Sequence, residues 1–309
     1  MMLNIPQSDF PTISESRNKI TFGTWVWRSA EIDHPDKVLN FLVPQGINEI
    51  YLVHDPLRQF EKYRHFVAQS AAAGVRVSLI GAKAHWVLPQ GYSERDEFFD
   101  FYERYQSEAA VNERFYGLHM DIEPHQLAEW QSDNPGTVRD YCEFVLLARQ
   151  VADRTGTLLE LDIPCWFDRF PCQDVNGDAI HLTEFCIRHA DTTLFMSYRD
   201  NAPAAVEFAQ VGLNLAQLYH KKIALAFETG HIYEEINITF DHLGTVPLMR
   251  ELDNLREIVS SEYKIPAVGY AVHHYNSWAV LPPDGNPLGD DFPYDNPNYS
   301  FLLQTKGKA

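Results

Sequence analysis

The chain has 309 residues, 45% of them hydrophobic and 22% charged, with a net charge of −18. This is the composition of a globular protein with a sizeable core. An acidic balance of this size excludes a nucleic-acid backbone as partner, because phosphate binding needs clustered Lys and Arg, and it weighs against polyanionic substrates. No run reaches the length of a membrane span, and the opening MMLNIPQSDF has neither a basic nor an apolar signal region, so a cytoplasmic protein is expected.

Short apolar segments alternate along the chain with longer amphipathic ones. Ile20–Trp27 is the first strand candidate, followed by a helical pattern at Asp36–Leu42. Glu49–His54 leads to Leu57–Ala73, which stops at Gly74, and Val75–Gly81 leads to Ser93–Ser107, with Ser93 as cap and Glu94 in the first turn. Phe115–Asp121 leads to Thr137–Arg154, after Asn134-Pro135-Gly136 and before Gly156. Leu158–Ile163 precedes Ala179–His189, Thr192–Tyr198 precedes Ala202–His220, and Lys222–Glu228 precedes Pro247–Glu262. Ala267–His274 closes the series.

Each strand candidate is rich in Val, Ile, Leu, Phe or Tyr, as a strand buried on both faces should be. Eight of them alternating with helices predict an α/β chain folded as a single (β/α)8 TIM barrel over residues 1–309, with an irregular tail from about 279 to 309. A doubly wound sheet would carry a Gly-rich phosphate turn after its first strand, and Gly23-Thr24-Trp25-Val26-Trp27 is not one. Cys142, Cys165, Cys172 and Cys186 lack Cys-x-x-Cys spacing, which argues against a structural zinc site. Cys142 and Cys165 suit buried thiols, and a Cys165–Cys172 bridge stays open.

A barrel of this type presents its chemistry at the carboxyl ends of its strands. Those ends offer Trp25, Trp27 and Arg28; His54 and Asp55; Lys83, His85 and Trp86; Asp121, Glu123 and His125; Asp162, Trp166 and Asp168; Tyr198 and Arg199; Glu228; and His273, His274, Tyr275 and Trp278. Five of the six Trp fall at these ends, Trp130 being the exception. Flat aromatic faces interleaved with hydrogen-bonding groups suit sugar rings, whose C–H faces stack while their hydroxyls need partners. The segment Phe115-Tyr116-Gly117-Leu118-His119-Met120-Asp121-Ile122-Glu123-Pro124 ends in two acids that share a strand face. Each acid there raises the proton affinity of the other, which suits general acid chemistry.

On these residues the chain resembles the family 18 glycoside hydrolases, the chitinase and endo-N-acetylglucosaminidase group. Their fourth strand carries D-G-x-D-x-D-x-E. Gly117, Asp121 and Glu123 match that motif, while Tyr116 and His119 stand where its first two acids would be. Met196-Ser197-Tyr198 matches the family's sixth-strand Met-x-Tyr, although Arg199 replaces the Asp that follows. The resemblance implies a carbohydrate substrate, no cofactor and no metal. It makes Glu123 the proton donor to the leaving oxygen and Asp121 the group that orients a substrate acetamide for attack. Tyr198 would hydrogen-bond the acetamide carbonyl, and Trp278 would floor the sugar subsite. His119 is then placed to hydrogen-bond Asp121, and Arg199 either clamps a substrate anion or pairs with a neighbouring acid. Trp27, Asp162, Trp166 and His274 complete the expected substrate contacts.

Two rival readings remain within the same fold. Glu228, at the end of the seventh strand, opposes Glu123 as nucleophile and acid/base do in retaining barrel glycosidases. Alternatively, His54, Asp55, His85, His119, Asp121, Glu123, His125, His273 and His274 supply ligands for a metal-dependent barrel hydrolase of the phosphodiesterase or amidohydrolase type. A carbohydrate-binding barrel without catalysis is a third reading, which the missing acids of the motif allow.

Overall fold

The computed structural model describes residues 20–232, 236–263 and 268–286. Ala267, the opening decapeptide and the tail from 287 onward lie outside the described residues. Eight parallel strands close into a barrel: β1 Phe22–Val26, β2 Glu49–Val53, β3 Arg76–Gly81, β4 Gly117–Met120, β5 Leu158–Pro164, β6 Thr192–Met196, β7 Lys222–Glu228 and β8 Val268–His273. β1 pairs with both β2 and β8, which removes every edge from the sheet. The chain is thus the (β/α)8 barrel that its β/α alternation predicts.

The main core lies between barrel and helices, where outward residues such as Leu52, Leu79, Leu118 and Leu161 meet Phe66, Phe98, Phe144 and Val145. A second cluster fills part of the interior. It joins Trp25, Tyr51, Ile80 and Leu194 to Ala224, Ala226 and Ala271. The small residues of β7 and β8 leave the volume that the two large rings of β1 and β2 occupy. Gly23 serves the same packing, since a Cβ there would come within 2.7 Å of three atoms of the Tyr51 ring and hydroxyl.

Several local expectations change. The helix predicted at Ala179–His189 begins only at Leu182. Ala179–His181 instead pairs antiparallel with Pro171–Gln173 in a hairpin, where Gly177 takes a left-handed φ of 88° that turns the chain. The pattern over Ala202–His220 breaks at Ala209 into Ala202–Phe208 and Gln210–Tyr219. Ser93 is not a cap: its helix starts at Tyr92, after Gly91. The helix expected from Thr137 starts at Asn134, where the Asp133 carboxylate accepts the Gly136 N–H at 3.1 Å. All four cysteines are free. The bridge between Cys165 and Cys172 left open above is therefore not formed, and the Cys165 thiol lies 3.8 Å from the Met196 carbonyl.

A column of charged side chains runs through the barrel interior. Arg76 Nη2 meets Glu49 Oε2 at 2.6 Å, Glu49 shares a hydrogen bond with Glu160, and His119 lies between Glu160 at 3.3 Å and Asp162 at 2.8 Å. Gly117 makes room for this arrangement. A Cβ there would lie 2.7 Å from Ser78 Oγ and 3.1 Å from Glu160 Oε2. Gly117→Ala is therefore expected to destabilise the fold by about 1–3 kcal/mol, the usual cost of overpacking, as a lower urea midpoint at unchanged slope.

Candidate active site

β4 stops at Met120, one residue before the predicted end at Asp121, but the Asp121 N–H still bonds the Gly81 carbonyl at 3.0 Å. Asp121 therefore keeps its inward direction at the barrel mouth. Buried Ile122 points outward, and Glu123 opens a short 3-10 turn at Pro124–Gln126. Glu123 is half-buried and pairs with His125 Nε2 at 3.1 Å. The mutual rise expected for the two acids is carried by Asp121. Burial, then the charge of Glu123, then that of Asp162 push its carboxyl well above the usual carboxylate range, with the nearby His119 opposing. Its Oδ1 is buried and has no hydrogen-bond partner among the described residues.

His119 is fully buried and does not bond Asp121, because both its ring nitrogens are taken by Glu160 and Asp162. Burial alone would strip its proton. The charge and hydrogen bond of Asp162, followed by those of Glu160, outweigh burial and raise the pKa to about 10. The position thus holds a buried cation. Glu160 is held below its usual range against the cost of burial, first by its hydrogen bond to His119, whereas burial raises Glu49 to about 8.

Asp162 Oδ2 also accepts the Trp25 indole N–H at 2.8 Å, which links β1 to β5 across the interior. Asp162 therefore braces the site from beneath, and one of its oxygens, Oδ1, is still without a partner among the described residues.

On the opposite wall, Glu228 is held at every turn. Its Oε1 accepts the N–H groups of Thr229 at 2.8 Å and Gly230 at 2.5 Å, and its Oε2 meets His273 Nδ1 at 2.7 Å. The Trp27 indole N–H donates to His273 Nε2 at 2.8 Å. An indole nitrogen only donates, so this arrangement fixes the neutral tautomer with its proton on Nδ1, directed at Glu228. Burial opposes further protonation of that ring, but the charge and hydrogen bond of Glu228, then the charges of Asp162 and Glu123, outweigh it and raise its proton affinity.

Tyr198 stands between the two walls, its ring 5.7 Å from His273. β6 ends before it, at Met196, and Ser197 Oγ ties the turn to Ala226 through two 3.1 Å hydrogen bonds. Burial, then the charges of Glu228, Asp162, Asp121 and Glu123, push the phenol well above its usual range and keep it a hydrogen-bond donor. The charges of four acids, which lie on or just past β4, β5 and β7, thus act on one phenol at the carboxyl end of the barrel.

The remaining expected site residues lie elsewhere. Trp278 is 2% exposed and packs outside the barrel with Phe22 and Phe41, because Tyr275–Trp278 turns back over β1. It is not brought to the cluster, and the indoles nearest to it belong to Trp25 and Trp27. Trp86 likewise packs on Phe98 in the outer core. Trp166 sits on the rim, its ring 5.0 Å from His125, in an aromatic group with Trp130 and Phe170. Arg199 stacks its guanidinium 3.9 Å above the Phe208 ring and donates to the Tyr198 carbonyl at 2.6 Å, so it has turned away from the acids it was expected to meet. His274 is buried behind His273, its proton affinity lowered first by burial.

The expected metal ligands are dispersed. His54 lies between the Phe98 and Phe101 rings, Asp55 accepts from Ser29 Oγ at 2.5 Å, and His85 pairs with Glu94 at 2.8 Å. Among the described residues, no three or more His, Cys, Asp or Glu side chains form a group able to hold a metal ion. The residues missed by sequence reasoning are Glu49, Arg76 and Glu160. Their signal was a charged side chain inside an otherwise apolar strand.

No protein-family model and no curated protein matches the sequence. Solved structures similar to it include a β-1,3-glucanosyltransferase from Rhizomucor miehei, at TM-score 0.51 and 11% identity over 81% of this chain and 86% of that one. The exo-β-1,4-mannosidase Op5Man5 from Opitutaceae bacterium strain TAV5 aligns at TM-score 0.51 and 12% identity, over 82% of this chain and 51% of that longer one. A class V chitinase from Nicotiana tobaccum aligns at TM-score 0.49 and 12% identity, over 85% of this chain and 99% of that one. At these identities the likeness to the two structures with a TM-score of 0.51 shows the barrel fold alone.

Proposed function

We propose that the protein is a glycoside hydrolase acting on an oligosaccharide or glycoconjugate. The observation that supports this most is that Asp121, Glu123, Asp162 and Glu228 all bear by charge on the Tyr198 phenol, at the barrel face where catalysis is housed. Glu123, half-buried at the barrel mouth and paired with His125, protonates the leaving oxygen. Asp121 keeps a proton in the free protein and turns to a substrate acetamide, so that the nucleophile is the acetamide oxygen rather than a protein carboxylate. The Tyr198 hydroxyl donates to that oxygen as charge develops on it.

A second reading is favoured by the anchoring of Glu228. Two backbone N–H groups and a third bond from His273 hold the Glu228 carboxyl in one orientation, as a nucleophile at this position must be held. The two readings separate on substrate. Hydrolysis restricted to glycosides bearing an acetamide beside the anomeric carbon is the expected result. Equal turnover of sugars with a hydroxyl there, lost at least about 10²-fold in Glu228→Gln, makes Glu228 the nucleophile. Failure to cleave any member of a broad glycan and aryl-glycoside panel overturns both.

A further inference from the structure

Three of the four cysteines meet although they come from three different elements. Cys142 lies on the helix Asn134–Thr155, Cys172 on the hairpin strand Pro171–Gln173, and Cys186 on the helix Leu182–His189. Cys172 packs against the core cluster that holds the other two. Its sulfur is hydrogen-bonded to that of Cys142, and its charge also reaches Cys186. The Cys186 thiol instead donates to the Tyr141 hydroxyl at 3.9 Å. Cys165 is turned to the Met196 carbonyl.

The two bonded thiols are unlike. Cys142 is buried, whereas Cys172 is half-buried at the hairpin. The bond to Cys172, then burial, push the Cys142 thiol far up, so Cys142 keeps its proton and donates it. The same bond lowers the Cys172 thiol, against burial and the charges of Glu184 and Asp174. Burial pushes the Cys165 and Cys186 thiols up. Cys172 is therefore the sulfur that most readily becomes a thiolate, and solvent reaches it. An accessible sulfur of that kind beside a protonated, buried thiol is the pairing of an attacking and a resolving cysteine.

We propose that Cys172 and Cys142 form a redox modification site, at which a hydroperoxide converts the two thiols to a disulfide. The Cys172 sulfur attacks one oxygen of hydrogen peroxide. The S–O bond forms as the O–O bond breaks, and the departing hydroxide leaves as water with the proton released by Cys172. The Cys142 sulfur then attacks the sulfenic acid at Cys172. The S–S bond forms as the S–O bond breaks, and the hydroxyl leaves as a second water with the Cys142 proton. Two sulfurs are oxidised and the two peroxide oxygens are reduced. The bridge ties the hairpin to the helix Asn134–Thr155. The chain just before the hairpin carries Trp166, 5.0 Å from the His125 ring, and Phe170, 4.7 Å from Trp130, so the bond braces the rim beside the partner of Glu123.

The test treats the reduced full chain with hydrogen peroxide, alkylates the remaining thiols, and reads intact mass and non-reducing peptide maps. The expected result is a loss of about 2 Da, reversed by dithiothreitol, with one linked peptide pair that carries Cys142 and Cys172. Cys172→Ser should slow thiol loss at least about tenfold. Cys142→Ser should leave Cys172 as a sulfenic acid that dimedone labels, and Cys165→Ser should change nothing. The map of the unaltered protein decides the matter if a variant does not fold. A bridge mapped to Cys165 or Cys186, sulfinic acid at Cys172 with Cys142 still free, or no loss of mass overturns the proposal. The readout needs no substrate, so this proposal and the glycosidase reading fail separately.

Discussion

Glu123→Gln should lower kcat on any cleaved glycoside by at least about 10²-fold while leaving the fold intact. Gln keeps the shape and packing of the half-buried side chain and removes only its capacity to deliver a proton. The lost pairing with His125 is between groups 26% and 22% exposed, so it should cost no more than about 1 kcal/mol. The measurement is kcat and KM for the same substrate in both proteins, alongside urea unfolding. A fall in kcat with little change in KM identifies an interaction made in the transition state. Retention of activity within tenfold would mean that Glu123 is not the proton donor, and the acid would then be sought at Asp121, the carboxyl whose proton affinity the site raises.

The largest effect on stability is expected at His119. His119→Leu fills similar space but leaves Glu160 and Asp162 facing each other in a dry interior without their cation, at a cost of about 3–5 kcal/mol. The same residue predicts a pH dependence. His119 binds its proton more tightly folded, at about 10, than unfolded, near 6.5. Its contribution is therefore complete below about pH 6.5 and is lost as pH rises through 10. Glu49, raised from 4.5 to about 8 by burial, acts in the same direction. Urea unfolding of the unaltered protein between pH 6 and 10 should show falling stability on the alkaline side, and a flat profile would contradict the buried imidazolium.

The barrel was legible because strands buried on both faces leave nearly continuous apolar runs, and the helices between them carry plain start and stop residues. The placement of Asp121, Glu123, Tyr198 and Glu228 at the barrel mouth was legible for the same reason, since each lies at or just past the end of a strand that the pattern places. The hairpin after β5 was not, because Ala179-Ile180-His181 joins a helical pattern at Leu182, although Asn176-Gly177 was an available turn signal. Trp278 was misplaced because a position at a strand end does not say whether the chain then turns inward or, as here, back over the barrel. His119 was read against the residues next to it in sequence. Its actual partners, Glu160 and Asp162, lie 41 and 43 positions away on the neighbouring strand, a contact that only the register of two strands reveals.

The interior column also constrains how this sequence can change over time. Arg76, Glu49, Glu160, His119 and Asp162 each satisfy a neighbour that is itself buried, so losing any one member strands another. Single-step drift is closed at these positions even where the substitution is harmless by size. A lineage that gives up His119 must alter Glu160 or Asp162 with it, and the five positions are inherited as one unit. A loop at the rim, such as the hairpin at Pro171–Gln173 and Ala179–His181, is under no such coupling. Divergence among descendants of this barrel should therefore accumulate around the mouth while the axis changes rarely, and then several residues at a time.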